Sequence, residues 1–247
     1  MPETTIKIQL LSKTPNAIEL IYASCRQCYS TTFAGDIFNK NKDNNSETIK
    51  QFIQKIISSG HESPLEHASF SFAIQGVSRA LTHQLVRHRL ASFSQQSQRY
   101  VKEDNFDYIV PHVFKQNENL YKIFTTSMEN IQKNYNDLIT ELNKLNIQGE
   151  KANQDARFVL PQATETKIVV TMNCRELKHF FAHRCCTRAQ WEIRILANNM
   201  LKICKQELPE IFKNLGAKCE TTKYCPEGEN FSCGKYPIKN KSQQNHA

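Results

Sequence analysis

The sequence predicts an α+β fold: a small central sheet, mixed or antiparallel, flanked by long helices in a single domain. Three observations carry this expectation. Short segments alternate apolar and polar residues at the strand period, and one long segment repeats apolar residues at the helical period. Strands and helices follow one another without a regular βαβ rhythm. The seven glycines form neither G-x-G-x-x-G nor G-x-x-x-x-G-K, so any nucleotide is bound without a Rossmann turn or a P-loop.

Taken in chain order, residues 5–11 (TIKIQLL) alternate as a strand. Residues 39–46 (NKNKDNNS) read as a polar loop ending in an N-cap, Ser46. Behind it Ile49, Phe52, Ile53, Ile56 and Ile57 recur at helical spacing, and Gly60 stops the helix. From Glu66 to Val77 the pattern alternates, with Ala68, Phe70, Phe72 and Ile74 on one face of a half-buried strand. Residues 79–90 read as a helix running into a polar, serine-rich stretch at 92–98. From Asn117 to Asn146, Leu120, Phe124, Met128, Ile131, Tyr135, Leu138, Leu142 and Leu145 step by three and four, giving a long amphipathic helix whose stripe is core or subunit contact. Residues 166–172 are strand-like, and 175–206 form one or two helices. The end, KNKSQQNHA, is expected to be disordered.

The 247 residues suffice for a sizeable core, and no run approaches the roughly 20 apolar residues of a membrane span. The N-terminus lacks a basic n-region and an apolar h-region, so the expected location is cytoplasmic. Nine irregularly spaced cysteines fit a reducing compartment and free thiols. The net charge of +8 suits anionic partners: nucleic acid, an anionic membrane or phosphorylated small molecules. The arginines cluster in 79–99 and 175–194, beside apolar sequence, which favours a concave phosphate or carboxylate site over a flat nucleic-acid face.

The densest polar stretch is Arg87-His88-Arg89-Leu-Ala-Ser92-Phe-Ser94-Gln95-Gln96-Ser97-Gln98-Arg99. Its arginines match phosphate oxygens bidentately, and its hydroxyls and amides can read the edge of a heterocycle. Upstream, Gly60-His61-Glu62-Ser63-Pro64-Leu65-Glu66-His67 invites a metal reading. However, Pro64 prevents one helix from presenting both histidines, so pocket-lining or capping roles are preferred. In the third segment, Asn173 to Glu192, Arg175, His179 and His183 share one helix face. That row is read as a cofactor or substrate wall, and no metal site is assigned. Arg157, in Ala156-Arg-Phe-Val-Leu-Pro161, stands beside an apolar turn.

These segments together resemble the flavin-dependent thymidylate synthases. Arg87-His88-Arg89, seven residues and Ser97 are similar to that family's signature. The segments beginning at Gly60, Ala156 and Arg184 resemble others of its characteristic stretches, in the same order. The resemblance spans residues 1–215 as a catalytic domain and leaves 216–247 as a Cys-containing extension, partly disordered.

Carried over by position, the resemblance implies that Ser63, Arg87, His88, Arg89, Gln95, Asn173, Arg175 and His179 contact FAD. It implies that Gln84, Arg87, Gln95, Ser97, Arg99, Arg157 and Arg184 hold dUMP, and that His61 lies near flavin and folate. The implied reaction is reductive methylation of dUMP to dTMP, with methylenetetrahydrofolate as carbon donor and NADPH reducing the flavin. It also implies a homotetramer whose active sites are shared between subunits, with no nucleic-acid or membrane partner. Gln95, His179 and Ser94 depart from residues that some relatives carry. Arg184, Ser97 and His61 are the candidate catalytic groups. Arg184 would stabilise negative charge developing on the uracil ring. Ser97, flanked by Gln96 and Gln98, has no neighbouring base and reads as a substrate-binding hydroxyl.

Outside these segments, Cys25-x-x-Cys28 reads as a pair of buried, inert thiols. Cys219, Cys225 and Cys233 could hold zinc only with a fourth ligand, from His246, Cys185 or a second chain, and an incidental tail is preferred. The second functional reading is a basic nucleic-acid-binding module, but only Phe93 and Tyr100 could stack bases around 87–99.

Overall fold

The computed structural model describes residues 3–42 and 46–238. Its fold is α+β, with the four-stranded antiparallel sheet ordered β1-β2-β4-β3. The strands are β1 (Lys7–Lys13), β2 (Ser69–Ser78), β3 (Ala91–Gln95) and β4 (Glu165–Asn173). The helices before β2 are α1 (Ala17–Gln27), α2 (Ala34–Asn41) and α3 (Glu47–Ser58), with a 3-10 turn at Ser63–His67. Then come α4 (Arg79–Leu85), α5 (His112–Lys115), α6 (Glu118–Lys144) and α7 (Glu150–Ala156). After β4 follow α8 (Cys174–Arg184), α9 (Trp191–Glu207), α10 (Pro209–Phe212) and α11 (Lys218–Thr222).

Within this α+β domain the chain forms two compact units. The first comprises the N-terminal segment to Gln9, Ala73–Arg87 and Phe93–Val170. Gly76 fixes its strand register: φ is +72°, and a Cβ there would stand 2.0 Å from the Thr5 carbonyl oxygen, so only glycine fits. The Gly76 amide donates to Glu165 Oε1 at 2.8 Å. The core of this unit packs Phe106, Tyr108, Val110 and Met128 together, and separately Tyr135, Ile139, Ala152 and Ala156. Helix α6 thus buries Met128, Tyr135 and Ile139, whereas Leu120, Leu138 and Leu145 of its stripe remain exposed. Gln132 sits among these apolar residues with its amide satisfied, donating to the Glu103 carbonyl and accepting from the Phe106 amide, each at 2.8 Å.

The second unit comprises Leu10–Phe72, His88–Ser92 and the chain from Thr171 onward. Its core is aromatic: Phe212 meets Phe70 and Phe181 edge-on at 5.7 and 6.0 Å. The α8 and α9 helices contribute Leu177, Phe180, Phe181, Ile193, Leu196 and Met200, all fully buried.

Several boundaries differ from the sequence expectation. Strand β1 runs Lys7–Lys13 rather than 5–11. The segment expected as strand from Glu66 opens with the 3-10 turn, because Pro64 at its start suits a tight helical turn and not a ladder. Helix α4 stops at Leu85 rather than 90, after which the chain buries His88 and enters β3. The stretch 92–98 is therefore part strand: Ala91, Phe93 and Gln95 alternate with the exposed Ser92 and Ser94. Ser46 occupies the N-cap of α3, but its side chain makes no capping hydrogen bond. Asn117 and Asn173 do cap α6 and α8 through their side chains. The loop expected at 39–46 is helical at its start, where residues 39–41 complete α2. Residues 43–45 of that loop and the KNKSQQNHA end, with His246, lie outside the described residues.

Candidate active site

In the second unit the site is organised by α8. Asn173 Oδ1 accepts the Glu176 amide at 2.8 Å and starts the helix. Glu176, Phe180 and Arg184 then lie one turn apart on a single stripe. His88 docks along it. Its Nδ1 is 2.9 Å from Glu176 Oε1, its ring meets Phe180 edge-on at 4.9 Å, and Arg184 Nε donates to its Nε2 at 3.1 Å. His88 and Glu176 are both buried, each 6% exposed.

These bonds determine the protonation of His88. An arginine Nε–H can only donate, so Nε2 must carry a lone pair and the imidazole proton must sit on Nδ1, facing the carboxylate. Burial pushes the His88 pKa below its ordinary value, and the Arg184 charge adds to this against the opposing hydrogen bond to Glu176. His88 is therefore a neutral imidazole of fixed tautomer. Burial likewise lowers the Arg184 pKa, from a value high enough that the guanidinium stays charged.

The adjoining row of α8 carries Arg175, His179 and His183. The His179 and His183 rings lie 4.3 Å apart, and the His88 and His179 rings 5.8 Å apart. Among the described residues, His88, Glu176 and His179 bring three potential metal-ligand atoms within 4.8 Å of one another. Both ring nitrogens of His88 already have partners there, and the Arg184 cation is one of them, so the arrangement is one of hydrogen bonds. The tail thiols Cys219, Cys225 and Cys233 form no such group among the described residues.

The glycine-60 segment is fastened to the same helix. Glu62 pairs with Lys178 and Glu66 with Arg175, four residues apart on one side and three on the other. The two carboxylates that invited a metal reading are thus ion-pair partners. Between them Ser63 is exposed, and His61 is half-buried with Tyr29 edge-on to it at 6.0 Å.

In the first unit the candidate residues gather around the stretch after β3. Gln95 Nε2 donates to Thr82 Oγ1 at 3.1 Å and to Thr166 Oγ1 at 3.3 Å, tying the strand end to α4 and β4. Ser97 Oγ accepts the Arg99 amide at 3.2 Å. Arg99 pairs with Glu150, and its carbonyl accepts from Asn153 Nδ2 at 3.2 Å, so α7 holds this loop. Gln84 is half-buried near the end of α4, while Arg87 and Arg157 are exposed. Arg89, in the other unit, is also exposed. Gln98 Nε2 is buried with no hydrogen-bond partner, an orphaned donor inside the densest polar stretch.

The sequence model of the family described as thymidylate synthase complementing protein matches residues 9–210. The chain belongs to the flavin-dependent thymidylate synthase family. Relatives named flavin-dependent thymidylate synthase include that of Nitratidesulfovibrio vulgaris, 54% identical over 241 residues, covering 97% of this chain and 98% of the relative. The Clostridium tetani relative is 48% identical, covering 93% and 94%, and the Pyrococcus abyssi relative 43%, covering 91% of each. Among solved structures, the UMP/dUMP methylase PolB from Streptomyces cacaoi, bound with 5-Br dUMP, shares the fold. Its TM-score is 0.69 at 20% identity, over 85% of this chain and 94% of that one. The family assignment displaces the nucleic-acid-binding reading. No helix among the described residues is long and apolar enough to cross a membrane.

Sequence reasoning passed over three side chains at these positions. Glu176 was hidden in the next row of α8, and its signal was the i, i+4, i+8 spacing of Glu176, Phe180 and Arg184. Tyr29 lies in a segment without periodicity. Arg79, whose Nη1 donates to the Gln96 carbonyl at 3.4 Å, opens an arginine cluster in which no local pattern singles it out.

Proposed function

We propose that the protein catalyses reductive methylation of dUMP to dTMP, with methylenetetrahydrofolate as carbon donor and NADPH as the source of reducing equivalents through FAD. The observation that carries this reading is membership of the flavin-dependent thymidylate synthase family across nearly the whole chain. The proposed setting is a cytoplasmic homotetramer with shared active sites.

The residues present suit FAD chemically. Arg87, Arg89 and Arg175 are exposed guanidinium groups, a donor set that matches a diphosphate. The orphaned Gln98 amide marks a place where a polar partner is wanted. In this reading Ser63, Arg87, His88, Arg89, Gln95, Asn173, Arg175 and His179 hold FAD, which when bound supplies the hydride chemistry. His61 stands near flavin and folate, with Tyr29 beside it.

The chain's own residues do the rest. Arg99 and Arg87 fix the 5′-phosphate and so the position of the uracil ring, with Gln84, Gln95, Ser97 and Arg157 completing the nucleotide contacts. Ser97 acts as a binding hydroxyl: its oxygen accepts the Arg99 amide, and no base adjoins it in sequence. Arg184 stabilises the negative charge that develops on the ring as C5 becomes nucleophilic.

The deciding measurement is an absorption spectrum of purified protein before and after dUMP. A flavin spectrum perturbed by dUMP, with dTMP formed when folate and NADPH are added, is the expected result. A protein that takes up no flavin on reconstitution would defeat the reading.

A further inference from the structure

The guanidinium of Arg184 has two ends. Its Nε–H is committed to His88 Nε2, while Nη1 and Nη2 form the fork at the opposite end. His88 can accept that bond only in the tautomer with hydrogen on Nδ1, and Glu176 is the group on Nδ1. Of the two tautomers of neutral imidazole, the buried carboxylate strongly favours the one that donates to it. The three groups come from α8 and the segment following α4, and both inner members are buried.

We propose that Glu176 is a positioning residue for the reaction: through His88 it fixes the orientation of Arg184, and hence the grip on the uracil ring of dUMP. The inference rests on Arg184 holding dUMP, as proposed above. Glu176 acts through His88 and Arg184 and touches neither substrate nor cofactor itself. Its negative charge also offsets that of Arg184 across the imidazole.

Two consequences separate this role from simple packing. Without an acceptor on Nδ1, His88 can turn its proton to Nε2 and then faces Arg184 with donor against donor. In acid the same clash arises when His88 takes up a second proton at Nε2. The charged and titratable groups facing His88 among the described residues are Glu176, Arg184 and His179. Of these only Glu176 favours the protonated form. Replacing it by the neutral isostere therefore moves the protonation of His88, and the acid limb it controls, to lower pH.

The test compares FAD-loaded wild type, Glu176→Gln and Glu176→Leu. It measures dUMP affinity by calorimetry and turnover from acidic to neutral pH, with histidine tautomers read by nitrogen-15 NMR. Glu176→Leu, in its FAD-loaded form, is expected to bind dUMP about tenfold more weakly, the loss of one hydrogen bond to a charged group. Its His88 loses the pure Nδ1–H tautomer. Glu176→Gln is expected to bind dUMP nearly normally at neutral pH, with its acid limb shifted to lower pH. Wild-type dUMP affinity and an unmoved acid limb in folded variants would overturn the proposal. If Glu176→Leu fails to fold, the acid limb of Glu176→Gln decides alone. A wild type that binds no dUMP would refute the reaction reading, whereas a wild-type His88 protonated on Nε2 would refute this inference whatever the substrate.

Discussion

Arg99 is held by Glu150, the first residue of helix α7, in an ion pair whose side chains remain 46% and 39% exposed. The guanidinium also stands 5.3 Å from the Tyr100 ring centroid. The cation proposed for the substrate phosphate is thus paired with a carboxylate that would compete with phosphate for it. Exposed pairs contribute at most about 1 kcal/mol, so the carboxylate is readily displaced. Glu150→Ala is expected to leave the fold intact and tighten dUMP binding by up to about fivefold, the same energy expressed as affinity. Titration of both proteins with dUMP checks this. A tenfold weakening would instead make Glu150 part of the machinery that positions Arg99.

Arg184→Ala is expected to lower turnover by about two to three orders of magnitude, the range for loss of one donor to developing charge. Flavin binding should survive, because Arg184 is not among the residues assigned to FAD. Arg184→Lys should rescue little: a lysine has one ammonium for two tasks, the bond to His88 and the fork toward the ring. Steady-state kinetics beside the flavin spectrum make the comparison. Near-normal turnover in the alanine variant would remove Arg184 from the mechanism.

The elements that periodicity could reach were legible, because a stripe such as Met128-Ile131-Tyr135 needs only the helix's own geometry to declare itself. Where expectation and structure part, tertiary partners decide. Helix α4 has the residues to continue past Leu85, but His88 finds Glu176, Phe180 and Arg184, contacts 88 to 96 residues away in sequence. No local pattern announces such a pairing. Arg175, His179 and His183 were readable as a row, yet the side chains that hydrogen-bond His88 belong to its neighbour, Glu176 and Arg184. Glu62 and Glu66 read as pocket-lining or capping residues, and their ion pairs were not legible because the counter-ions, Lys178 and Arg175, lie over a hundred residues away.

Gly76 carries a strand register and should not tolerate a side chain. The left-handed φ of +72° costs an alanine about 1 kcal/mol, and a Cβ only 2.0 Å from the Thr5 carbonyl forces the backbone of that segment to move. Gly76→Ala is expected to destabilise the protein by roughly 2–4 kcal/mol in total. Thermal unfolding should then shift downward by very roughly 4–16 °C for a chain of this size. An unchanged melting temperature would mean that the strand end is looser than its contacts indicate.

The cysteines divide by environment into groups that alkylation can separate. Cys25, Cys174 and Cys204 are fully buried, and burial pushes the Cys174 thiol up to about 12 and raises that of Cys204 further. Cys185 is likewise pushed up to about 12, by burial and then by the nearby Glu220 charge. Cys233 is the opposite case: it is exposed, and hydrogen bonds from the Lys235 amide and the Thr187 hydroxyl hold its thiol below the ordinary value. The thiolate is the nucleophile, so a lowered pKa means more reactive sulfur at neutral pH. Cys28, expected from the sequence to be buried with Cys25, is instead exposed just past the end of α1. Iodoacetamide treatment of native protein, followed by mass spectrometry, should label Cys233 first and Cys28 next. Cys25, Cys174 and Cys204 should react only after denaturation. A Cys233 that resists labelling until a chelator is added, with stoichiometric zinc in the untreated protein, would reverse the assignment and make the tail a metal site.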